Sequence, residues 1–230
     1  MRNFITVLCS LLFSVVAFSQ SSAPLEVKYA LESIKSISSN SGMWIPGKSL
    51  DNTIYGTQYL FKNWNGIFKV TSSKDQKFQL FNLNYNLKTQ KLESFIDKDS
   101  VFQYDLEQFK TIEHANKTYT IINNDLLNGL VQEICIGSKA SLFKQITLQV
   151  QYGTLNPLTQ EKISEDAYVQ YPLYYLKINS DYMAIKPSKR TILSFLNDKK
   201  DEIKTFVKQN DLNYNTDENL KRILSYYNSL

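Results

Sequence analysis

One histidine and two cysteines set the terms on which this 230-residue chain could do covalent chemistry. A serine or thiol nucleophile needs a base beside it, and His114 is the sole imidazole on offer. Cys135 sits in the strand-like run 130–136, where a lone thiol reads as a small buried hydrophobe; a Cys135/His114 pair is the catalytic alternative. His114 follows Glu113 beside the turn at Asn116-Lys117, and no Gly-x-Ser-x-Gly elbow accompanies it. Carboxylate chemistry needs no imidazole, so Glu113, Glu133, Glu161, Glu165 and Asp166 keep a glycosidase open, with surface charges in turns as the plainer reading. The seven glycines, at 42, 47, 56, 66, 129, 137 and 153, spell neither a dinucleotide fingerprint nor a phosphate loop. The segment 97–101 begins like a calcium loop but lacks its turn glycine and distal glutamate, and so few His and Cys close the usual zinc sites. No metal and no cofactor is expected.

What remains is recognition. The 15 Tyr and 13 Phe are concentrated in a β-rich stretch, where a sheet face left open by its covering layer would offer tyrosines to apolar or sugar-like ligands. Cross-strand aromatic packing is the competing use of the same residues. Met43, Trp44 and Ile45 form an apolar loop, either packed over a core edge or exposed as an interaction patch. Lysines alternate with acids, as in Asp97-Lys98-Asp99, so the net charge of +4 makes no one-sided stripe and nucleic acid is not an expected partner.

The elements that must hold these residues begin with an export signal over residues 1–19. Arg2 precedes an apolar run from Phe4 to Phe18, and Ala17 and Ser19 are the small residues that set cleavage after Ser19. At about 15 residues the run is shorter than the ~20 a bilayer requires, so no transmembrane segment is expected in the mature chain. Cleavage would remove Cys9, leave Cys135 without a disulfide partner, and lower the charge to +3 by removing Arg2. The expected location is the periplasm or the extracellular space.

A flexible leader over 20–25 precedes a single domain, 26–230. Val27, Leu31, Ile34 and Ile37 fall at helical spacing and predict a short N-terminal helix. From 55 to 178 the grammar is that of strands. Runs 59–64 and 67–71 flank Asn65-Gly66 and predict a hairpin. Further on, Phe81, Leu83, Tyr85 and Leu87 alternate with Asn82, Asn84 and Asn86, which predicts a strand buried on one side. From 188 to 228 the apolar spacing is helical, with Ser188, Asp198 and Asn215 as the expected caps. The expected class is α+β: an antiparallel meander of about seven to nine strands, a short N-terminal helix, and two or three C-terminal helices.

Gly56-Thr-Gln-Tyr59-Leu60, Trp64-Asn-Gly66, the strand ending Asn84-Tyr-Asn-Leu87 and the terminal Tyr226-Tyr-Asn228 together resemble exported proteins of Bacteroidota bacteria. That resemblance covers most of the mature chain, implies an envelope or secreted location, and carries no activity with it. In such a source Asp99-Ser100-Val101 fits a short O-glycosylation pattern, which makes Ser100, expected in an exposed turn, a candidate modification site. The leading expectation is a non-enzymatic envelope protein that binds a ligand or a protein. The rivals are a hydrolase of unfamiliar type, using carboxylates or Cys135/His114, and a structural accessory of a secretion or motility complex.

Overall fold

Lys77 to Asn86 reads as one strand, yet it serves two sheets. Asn82 adopts a left-handed backbone with φ of 52°, which bends the chain between β3 (Lys77–Phe81) and β4 (Leu83–Asn86). Asparagine tolerates that conformation better than the leucines and aromatic residues around it. The computed structural model describes residues 42–46, 54–97 and 100–230; the expected signal, leader and N-terminal helix lie outside them.

The smaller sheet has four antiparallel strands in the order β1-β6-β5-β4, with β1 Gly42–Pro46, β5 Lys91–Asp97 and β6 Ser100–Tyr104. The larger has eight, in the order β12-β11-β10-β9-β8-β7-β2-β3, every neighbour antiparallel. Its strands are β2 Ile67–Ser72, β7 Phe109–His114, β8 Lys117–Asn123, β9 Asn128–Cys135, β10 Ala140–Gln151, β11 Ala167–Ile178 and β12 Asp181–Ile185. From β7 to β12 it is the expected meander, strand following strand. Three helices close the chain: α1 Lys189–Phe195, α2 Lys200–Gln209 and α3 Asp217–Ser229. The α+β class and the antiparallel pairing agree with the expectation. The second sheet was not foreseen, because alternation identifies a strand but not the sheet it joins.

Two covers sit on one face of the large sheet. The small sheet contributes Leu83, Tyr85, Leu92, Phe102 and Tyr104 to a core shared with Phe68, Val70, Ile112 and Leu130. The helices contribute Ile192, Leu196, Ile203, Leu220 and Ile223 to a second core, over Ile134, Ala140, Leu142 and Leu176. Leu130 and Ile134 are four apart on β9, and Leu142 and Ile146 four apart on β10, so both covers lie on the same side.

Several local expectations need correction. Residues 59–64 form no strand; β2 instead hairpins with β3 through 73–76. Gly66 is glycine for another reason: with φ of 143°, a Cβ there would stand 2.8 Å from His114 Cε1. The segment 43–45 is a strand rather than a loop, because β1 finds β6 as a partner. Ser188 caps α1 as expected, accepting from the Thr191 N–H, but Thr216 rather than Asn215 caps α3, and Lys199 rather than Asp198 precedes α2. Asp198 instead accepts the Tyr227 hydroxyl, tying the start of α2 to α3.

Candidate functional site

The strap 54–66 crosses from the large sheet to the small one and builds a wall. Tyr55 bridges to Ala167, Tyr59 bridges to Asn86, and the Gln170 side chain donates to the Tyr59 carbonyl at 2.9 Å. Asn84, expected to face solvent, is 1% exposed because its amide is bonded to the Phe61 main chain. Asn86 is buried as well, donating to Glu93 and capping the turn at Lys88 and Thr89. β4 is therefore buried on both sides: a crossing backbone offers donors and acceptors to its asparagine face, which no local pattern reveals.

Glu93 anchors the strap from beneath. It is 2% exposed, and its carboxylate accepts from the Tyr59 hydroxyl at 2.9 Å, Asn86 Nδ2 at 3.2 Å and Gln103 Nε2 at 2.9 Å. Three neutral donors suffice to satisfy the carboxylate. Burial, with the Glu93 charge beside it, pushes the Tyr59 phenol up to about 12.

Between the strap and α3 the sheet face is open. The register pairs Ile112 with Tyr119, Tyr119 with Gln132, Gln132 with Lys144, and Lys144 with Tyr174, so these five side chains make one cross-strand row from β7 to β11. The row begins under the small sheet at Ile112 and surfaces as a cleft floor at Tyr119, Gln132 and Lys144. The cleft measures about 420 Å³, within the range of small-molecule sites, with Phe61, Lys62, Asn63 and Asn65 on the strap side and His114 and Lys117 at the β7–β8 end. A second hollow of about 410 Å³ adjoins it beside α3, sharing Lys117 and Gln132.

Each floor residue is held differently. At the α3 end Asp217 pairs with the Lys144 ammonium and accepts the Tyr174 hydroxyl at 2.8 Å. Asp217 is the first residue of α3, where a carboxylate also meets the favourable end of the helix dipole. Burial first, then Asp217, pushes the Tyr174 phenol up to about 12. Tyr119 is 7% exposed, and burial alone pushes its phenol up to about 12. Its hydroxyl makes no hydrogen bond among the described residues, and neither does the Gln132 side chain.

His114 stacks on Phe68 at 3.9 Å and meets Phe61 edge-on at 5.1 Å, with Nδ1 3.2 Å from the Ile67 carbonyl oxygen. It lines the cleft rather than standing free beside its turn. Cys135 belongs to the helix-side core, 3.6 Å from Ser225 Oγ, and shares no contact with His114. Of the candidate acids, Glu165 and Asp166 pair with Lys162 in the β10–β11 connection and Glu113 is exposed on β7. Glu161 accepts from Thr159 Oγ1 in that same connection. Glu133 lines the second hollow, where burial raises its carboxyl pKa. The structure thus brings His114 to the cleft, sets Cys135 and Glu133 along the second hollow, and leaves the other acids elsewhere.

Met43 and Trp44 are 62% and 54% exposed on edge strand β1, Trp44 standing edge-on to Phe102, and Ile45 is half-buried. Ser100 is half-buried and opens β6, paired with Pro46 and Asp97, rather than lying in the exposed turn expected of it. The residues that sequence reasoning missed are Lys62, Lys117, Tyr119, Gln132, Lys144 and Asp217. Alternation of Lys117, Tyr119 and Ile121 along β8 marked a common face but not what lies above it.

No family model, curated protein or solved structure matches this chain.

Proposed function

We propose that this chain is an exported, non-catalytic binding module of the envelope whose ligand, a polar sugar-like molecule, sits in the cleft between the strap and α3. The observation that carries this reading is the cross-strand row. It sets an unbonded phenol and an unbonded amide, Tyr119 and Gln132, on a rigid sheet between two packed covers. Both polar groups reach the solvent of the cleft, since the fully buried unpartnered side-chain atoms among the described residues are the Tyr168 and Tyr214 hydroxyls, and a ligand with hydroxyls can take the place of that solvent. Binding rather than turnover is supported by the company the reactive groups keep: His114 stacks on aromatic rings, and Cys135 lies under α3. Export is supported by residues 1–19, and kinship with envelope proteins of Bacteroidota by the short motifs quoted above.

The single histidine makes the test direct. Its two carbon-bound ring protons report from the cleft alone, so NMR of the mature protein can be followed while oligosaccharides, fatty acids and short peptides are added. A saccharide that shifts the His114 resonances saturably and is recovered intact supports the reading. Shifts from none of the saccharides, or cleavage of one that binds, would overturn it.

A further inference from the structure

Among the described residues that line the cleft, those with a permanent charge are all lysines. Lys62 on the strap, Lys117 at the β7–β8 turn and Lys144 on the floor line it, and no carboxylate is among its described lining residues. Asp217 neutralises Lys144 from the α3 side. Lys62 and Lys117 have no ion pair among the described residues, and both are exposed. Two unpaired ammonium groups therefore stand at the rim, above a floor whose phenol and amide are also unbonded.

We propose that the cleft takes an acidic saccharide, a sugar whose carboxylate or sulfate lies between Lys62 and Lys117 while its hydroxyls pair with Tyr119 and Gln132. The inference rests on the binding reading above and adds the ligand's charge. An ammonium is a point charge with three donors, suited to an oxyanion that can be approached from several directions. An amide is donor and acceptor at once, and a phenol likewise, so together they match neighbouring hydroxyls of a ring. Asn63 and Asn65 on the strap extend the same chemistry along the wall. An acidic peptide would use the lysines but would leave the floor's phenol and amide poorly matched, since its polar groups are spaced along a chain.

The test is calorimetry on the mature protein with four probes: a trigalacturonate, a sulfated carrageenan disaccharide that has no carboxylate, a neutral galactose trisaccharide and a hexameric glutamate peptide. The two acidic sugars separate carboxylate from sulfate as the source of the oxyanion. At least one of them should bind about tenfold more tightly than the neutral sugar, and raising the salt from 50 to 300 mM should weaken it. Lys62→Gln and Lys117→Gln, both at exposed positions that leave the fold alone, should each weaken it about three- to tenfold, with Tyr119→Phe weakening acidic and neutral sugars alike. Equal binding of the neutral sugar, or indifference to both lysine substitutions, overturns the acidic assignment and leaves the binding reading standing. Tighter binding of the glutamate peptide overturns it in favour of a protein partner. Binding of no probe, with His114 silent as well, overturns both.

Discussion

Asn84 grips the main chain of Phe61 in both directions, its Oδ1 accepting from the Phe61 N–H at 3.0 Å and its Nδ2 donating to the Phe61 carbonyl at 2.9 Å. The pair fixes the strap that walls the cleft, with Glu93 holding Tyr59 two residues earlier. Since the site is buried, Asn84→Leu should strand two main-chain groups and cost about 2–4 kcal/mol. Urea unfolding should show that loss, and hydrogen exchange should show the Phe61 amide losing protection before the β10–β11 amides. Uniform loss of protection across both regions would mean that the strap is no separate unit.

High pH should weaken the fold through its phenols. Tyr59, Tyr104 and Tyr119 are each pushed up to about 12, chiefly by burial, from an ordinary value of 10.0. The folded state thus favours the neutral form. Their stabilisation is fully present below pH 10 and is lost as the pH rises through about 12. Urea midpoints measured from pH 9 to 12 should fall progressively, and Tyr104→Phe should flatten that fall. A midpoint independent of pH would contradict the burial assigned to these rings.

Gly66→Ala tests how closely the strap approaches the histidine. A Cβ would meet His114 Cε1 at 2.8 Å, on a backbone whose φ of 143° a side chain resists. Both effects should destabilise, together by about 2–4 kcal/mol. The imidazole should leave its Phe68 stack, visible as loss of its ring-current shift. An unshifted imidazole would show the strap yielding instead.

The C-terminal end of α3 is pinned by one side chain. Asn228 accepts from the Lys139 and Ala140 N–H groups, each at 2.9 Å, and donates to the Ala140 and Leu224 carbonyls, each at 2.8 Å. Asn228→Ala should cost about 2–4 kcal/mol for this network. Thiol labelling should then detect Cys135, 6% exposed beside this contact, reacting faster in the variant than in the parent. Equal labelling rates would show that α3 stays docked without the pin.

Much of this was written in local periodicity. Leu220, Ile223, Leu224 and Tyr227 share one helical face and are all buried in α3, as their spacing required. Alternation placed Leu83 and Tyr85 on one face, and both are buried in the core there, because a strand's side chains can point only two ways. Residue types alone also limited the chemistry: one imidazole and one thiol outside the expected signal leave few reactive pairings.

Tertiary structure decided what each face meets. Nothing local distinguishes Asn84, bound to a crossing strap, from an asparagine turned to water, because its partner Phe61 lies 23 residues away. The row from Tyr119 through Gln132 to Lys144 is assembled from three strands, and its partners are chosen by register rather than by neighbouring sequence. The cleft itself is a gap between two covers on one sheet face. A gap of that kind exists only once both covers have packed, so no single segment of the chain can encode it.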